Sequence, residues 1–178
     1  SLELRRLLLS RLTWLIALLT LLSPLAGLTL YKPASAGTML SMYLANPALA
    51  GGAAGGVLFG LLAVFELDRA NRCRVDVLVD AAVSPLRMAL VRLLALMSGA
   101  ALTLCLAMLV WLPVSRGLIG AVFDGAEYLL AYALFMGLAL PLGILAASSA
   151  YQFARRADLS LVALAVFAGL SLSVWADY

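Results

Sequence analysis

The chain has 178 residues, of which 65% are apolar and 12% charged, with a mean hydropathy of +1.09 and a formal charge of +3. Too little polar surface is present to coat a water-soluble globule of this size, so the bilayer must act as its solvent. Histidine is absent, and the two cysteines, Cys73 and Cys105, form no metal-ligand spacing and no disulfide framework, which argues against hydrolytic and metal chemistry.

Backbone groups in hydrocarbon must be paired within a helix or around a closed barrel, and the apolar runs here are Leu/Ala-rich without polar/apolar alternation. The expected fold is therefore all-α, a polytopic transmembrane helical bundle forming one domain over residues 1–178. The first eleven residues set Leu4, Leu7 and Leu8 on one helical face and Glu3, Arg6 and Ser10 on the other. This pattern fits a short helix along the cytosolic interface or, equally, the first turns of the first span.

A crossing needs about 20 residues, and five runs qualify: residues 12–30, 48–65, 92–112, 129–150 and 159–175. Arg5 and Arg6, the first run and Ala34-Ser35-Ala36 imitate a signal peptide, but the run exceeds a signal core and four more spans follow it, so it is read as uncleaved. Arg5, Arg6 and Arg11, then Arg69, Arg72, Arg74, Arg87 and Arg92, then Arg155 and Arg156 fall in segments of one parity, against Lys32 and Arg116 in the other. By the positive-inside rule the N-terminus is cytosolic, and topology rather than a nucleic-acid partner accounts for the basic residues. The odd number of spans, in a sequence that begins without Met, implies a longer protein with a sixth span.

Within the second span, Gly51, Gly52, Gly55, Gly56 and Gly60 form a small-residue stripe that lets backbones approach closely, a helix-packing face for another span or a second protomer. No Lys-Ser/Thr follows it, as a phosphate-binding loop would require. The cytosolic segment 66–91 is the most polar part of the chain. From Asp68 through Arg72, Asp76 and Asp80 charges recur four apart, while Val75, Leu78, Val79 and Ala82 make an apolar face that ends before Ser84-Pro85. The pattern fits a short amphipathic helix that docks a soluble partner, or an ordinary solvated loop.

The span cores hold no ionisable residue: Asp124 and Glu127 stand at the outer edge of the fourth span and Glu66 at the inner edge of the second, each within reach of water. Proton- or sodium-driven transport by this chain alone loses most of its support. Pro24 and Pro141 are kink candidates, and Trp14, Tyr31, Tyr43, Trp111, Tyr128, Tyr151 and Trp175 gather near span ends as an aromatic belt.

Phe65-Glu66-Leu67-Asp68-Arg69, a charged stretch, then Val83-Ser84-Pro85-Leu86-Arg87 leading into the third span resemble the permease subunits of ABC-2 type ABC transporters. In that family an acidic residue closes the second span, a coupling helix follows, and a Ser/Thr-Pro-x-x-Arg-like turn starts the third. The specific part covers residues 48–95, the turn is compressed, and the family's six spans exceed the five counted here. The resemblance implies a coupling site made of Glu66, Asp68, Arg69, Arg72, Asp76, Leu78, Asp80, Ser84, Pro85 and Arg87. It also implies a homo- or heterodimer of permeases in a prokaryotic inner membrane. A separate ATPase subunit would bind ATP and Mg, leaving this chain without cofactor or catalysis. The competing expectations are a secondary carrier or channel, for which no inverted repeat is visible, and a membrane scaffold.

Overall fold

A computed structural model describes residues 2–30, 39–72 and 85–176. It is 95% helical and, among the described residues, contains no strand. In chain order the helices are α1 (Leu2–Leu9), α2 (Arg11–Leu22), α3 (Pro24–Leu30), α4 (Met39–Arg72), α5 (Pro85–Ile119), α6 (Gly125–Ala131), α7 (Gly137–Ala154) and α8 (Ala157–Ala176). A 3₁₀ turn at Gly120–Val122 follows α5, and a π-helical turn at Tyr132–Met136 joins α6 to α7. Four stretches, Arg11–Thr29, Leu44–Arg69, Arg87–Ile119 and Gly125–Ala154, are long and apolar enough to cross a membrane, and α8 is a fifth apolar helix. The fold is an all-α bundle with the composition of a membrane-embedded protein.

Close contacts reveal how the helices run. Gly52 meets Phe135, Gly56 meets Ala139, Gly60 meets Gly143, and Asp68 bonds Tyr151, so α4 and the α6–α7 helix lie parallel in one constant register. Thr20 against Gly55, Pro24 against Gly51 and Gly27 against Asn46 run the opposite way, which makes α2–α3 antiparallel to α4. The Tyr128 hydroxyl bonds the Met108 carbonyl while Leu104 meets Gly137, so α5 opposes α6–α7. Successive helices alternate in direction, and Arg6, Arg69, Arg92 and Arg155 come to one end of the bundle.

The long helices outrun the hydrocarbon. At 1.5 Å per residue α4 is about 51 Å long against roughly 30 Å of bilayer core, and Glu66–Arg72 continues its helix instead of opening the loop expected from the sequence. The helix-forming residues Leu67, Arg69 and Ala70 carry it outward. Pro85 likewise begins α5 seven residues before the expected start of the third span, because proline is well placed in a first turn, where its missing N–H costs nothing. The N-terminal segment is a helix of its own, since Ser10 is extended (φ −74°, ψ 126°) and separates α1 from α2.

The first span breaks at Ser23, ahead of Pro24, and the carbonyls released there find donors. Ser23 Oγ donates to the Thr20 carbonyl at 2.7 Å, and Trp111 Nε1 on α5 donates to the Leu21 carbonyl at 2.8 Å. A kink in hydrocarbon is tolerated only when such groups are satisfied again. Trp111→Phe keeps most of the apolar contact and strips the donor. It is expected to lower the unfolding midpoint in detergent, by about 1–3 kcal/mol of stability, the cost of one buried unpaired carbonyl.

Candidate functional site

Glycines create the tightest seam in the bundle. An added methyl at Gly143 would overlap the Gly56 carbonyl, and one at Gly52 would lie 2.5 Å from the Phe135 carbonyl oxygen. At Gly56 the obstacle is Ala139 O at 2.9 Å, and at Gly60 it is the Leu164 methyls at 3.0 Å and Gly143 O at 3.1 Å. Gly51 and Gly55 face the first span, against Pro24 and Thr20. The five glycines thus serve several neighbours at once: Gly52 and Gly56 admit the backbone of the π turn and α7, Gly60 admits α7 and Leu164 of α8, and Gly51 and Gly55 sit between the first span and the Met136 and Leu140 side chains. Beside them Ala50, Ala53, Ala54, Val57 and Leu58 with Leu19 line an open apolar groove of about 550 Å³.

At the arginine-rich end the described charges converge on Glu66. Its carboxylate accepts from Arg6 Nη2 at 2.6 Å on one oxygen and lies 3.9 Å from Arg69 Nη1 on the other. Arg92 lines the same narrow cleft with Leu7, Leu67, Ala95 and Leu96. The Glu66 side chain is 10% exposed, which corrects its expected place at a water-accessible span edge. Leu7 seats α1 against α5 and Arg6 closes over the carboxylate, so the cover comes from a segment distant in sequence. Two residues further along, the Asp68 carboxylate accepts from the Tyr151 hydroxyl at 3.3 Å, joining the ends of α4 and α7. Arg155 closes α7 in the left-handed conformation, and Arg156 pairs with Asp158 at 2.7 Å on the exposed start of α8.

Of the expected coupling residues, Glu66, Asp68, Arg69 and Arg72 lie on the last turns of α4, with Pro85 and Arg87 on the first turn of α5. Asp76, Leu78, Asp80 and Ser84 fall outside the described residues. The structure adds Arg6, Arg92 and Tyr151, which sequence spacing did not single out for this site; the signal available was the position of Arg6 on the polar face of an amphipathic segment. Among the described residues no group of three or more His, Cys, Asp or Glu is arranged to hold a metal ion.

Several aromatic residues expected in a lipid-facing belt are core residues instead. Trp14 is exposed, but Tyr128 is fully buried, and Trp111 and Tyr151 are buried too, each donating to a partner on another helix. Each of the three donates to a backbone carbonyl or carboxylate on another helix, which outweighs the interfacial preference of the ring. Tyr128 packs on Tyr132 with ring centroids 4.7 Å apart, and Phe123 lies 5.8 Å from Tyr128. No protein-family model, curated protein or solved structure matches the chain.

Proposed function

We propose that the chain is a non-catalytic permease subunit of an ATP-driven ABC transporter, an exporter of the ABC-2 type, with the arginine-rich end in the cytosol. The observation that supports this most is the assembly at that end. Helix α4 projects beyond a bilayer's thickness, the chain returns at Pro85, and α1 is ion-paired to the projecting turn through Arg6 and Glu66. A soluble partner that pushed on segment 73–84 would have both long helices as levers and α1 as a bracket between them. The positive-inside rule assigns that end to the cytosol, and all five alternating helices would be spans of a prokaryotic inner membrane. ATP and Mg would be bound by a separate ATPase, and a second permease protomer would complete the pathway. The segment Asp68 to Arg87, including Asp76, Leu78, Asp80 and Ser84, would be the docking element.

A mild-detergent pull-down of the tagged protein is expected to bring down a Walker-motif ATPase, and Asp76→Arg/Asp80→Arg is expected to reduce its recovery at least about tenfold, the effect of ~1.4 kcal/mol or more at a charged interface. Recovery of folded protein without any ATPase, under conditions that keep transporter complexes intact, would leave a secondary carrier or a scaffold as the reading.

A further inference from the structure

We propose that the π-helical turn Tyr132–Met136 is a two-state hinge, in which the outer segment Gly125–Ala131 can rewind against an inner helix that is held fixed. The inner part is pinned by the close backbone approach of Gly56 to Ala139 and Gly143 and, beyond it, by the side-chain bond of Asp68 to Tyr151. The turn itself is held against Gly52 at the Phe135 carbonyl but departs from α-helical pairing. The Gly137 N–H donates to the Tyr132 carbonyl, an i→i+5 bond that accommodates one residue in excess of an α-helix. Four residues on, Pro141 supplies no N–H to the Gly137 carbonyl and crowds it with its ring, which favours an opened turn just ahead of it.

The described state also leaves a polar group unsatisfied. Tyr132 is fully buried, and its hydroxyl lies beside that of Tyr128 without making a hydrogen bond of good geometry to it or to any other group among the described residues. Tyr128, one turn earlier, donates to the Met108 carbonyl at 2.7 Å. A buried hydroxyl without a partner raises the energy of the state that contains it. Absorbing the extra residue would rotate the outer segment by about 100° and shift it about 1.5 Å along its axis, removing Tyr132 from that seat while the inner end stays in register with α4.

Amide hydrogen exchange on the full chain in lipid nanodiscs tests this, together with thermal unfolding of two variants. In the unmodified protein, amides 133–137 are expected to exchange at least about tenfold faster than those of Gly52–Gly60, because a two-state element opens without the rest of the bundle. Tyr132→Phe removes the unsatisfied hydroxyl and is expected to raise the unfolding midpoint and slow exchange at 133–137 by about fivefold or more. Tyr128→Phe removes a made bond and is expected to lower the midpoint. Exchange at 133–137 as slow as in Gly52–Gly60, or unchanged in Tyr132→Phe, would overturn the hinge. A lowered midpoint in Tyr132→Phe would do so as well, by showing that the hydroxyl is satisfied.

Discussion

Gly143→Ala is expected to be the most damaging single methyl in the protein. Its Cβ would overlap the Gly56 carbonyl, with Gly56 Cα also within van der Waals distance. Backbone cannot step aside by changing rotamer, so α4 and α7 must separate along the seam that runs from Gly52 to Asp68. Overpacking costs about 1–3 kcal/mol where side chains can adjust, and more where they cannot. Folded yield and the midpoint of denaturation in mixed micelles measure the loss. Gly117→Ala and Gly169→Ala provide the comparison, since nothing lies within 4 Å of a methyl at either position; both are expected to be neutral or slightly stabilising, by about 0.5–1 kcal/mol from helix propensity. Equal behaviour of Gly143→Ala and Gly169→Ala would mean that α4 and α7 do not meet at this seam.

The second large effect is expected at Glu66. Removing one partner of a buried ion pair leaves the other charge uncompensated, at about 3–5 kcal/mol when both are inaccessible. Here Glu66 is enclosed but the Arg6 side chain is 39% exposed, so solvent screens part of the penalty and about 2–3 kcal/mol is the expected cost of Glu66→Ala. Arg6→Ala should cost less, because Arg69 remains near the other carboxylate oxygen. The Arg6→Ala/Glu66→Ala double variant should lose less than the two single losses added together, and a double-mutant cycle reads that coupling directly. Strict additivity would show that α1 is held by Leu7 alone, with the ion pair idle.

The contrast between these two sites explains what could be read from the amino acids alone. Long apolar runs, arginines of one parity and glycines four apart are repeated local signals, each tied to one physical demand: hydrocarbon thickness, charge placement, or close backbone approach. They were sufficient to expect an all-α membrane bundle and to single out Gly51 to Gly60. Which glycine faces which neighbour was not legible, because the five look alike in sequence, yet Gly52, Gly56 and Gly60 meet backbone of the π turn and α7 while Gly51 and Gly55 meet side chains of the first span and of Met136 and Leu140.

Non-local pairings were harder still. Glu66 reads as a solvated span edge until Arg6 and Leu7 are folded over it, and no spacing rule connects positions sixty residues apart. Trp111, Tyr128 and Tyr151 sit near span ends, where interfacial aromatics are the ordinary expectation; only the released Leu21 carbonyl, the Met108 carbonyl and the Asp68 carboxylate account for their burial. The π-helical turn likewise leaves no mark in the sequence beyond Pro141 and the Tyr128/Tyr132 pair.

The constant register between α4 and α7 imposes an order on biogenesis. α2–α3 and α4 are neighbours in sequence and can join as a hairpin as soon as both have left the ribosome, with Gly51 and Gly55 engaged early. The companion face of Gly52, Gly56 and Gly60 has to wait for a helix more than eighty residues downstream, which at about 5–20 residues per second is on the order of ten seconds of synthesis. During that interval the thinnest stretch of α4 is bounded by lipid or by whatever membrane chaperone shields it. A nascent chain arrested after α5 should therefore be the form most exposed to quality-control proteolysis, and completion of α7 the step that ends the exposure.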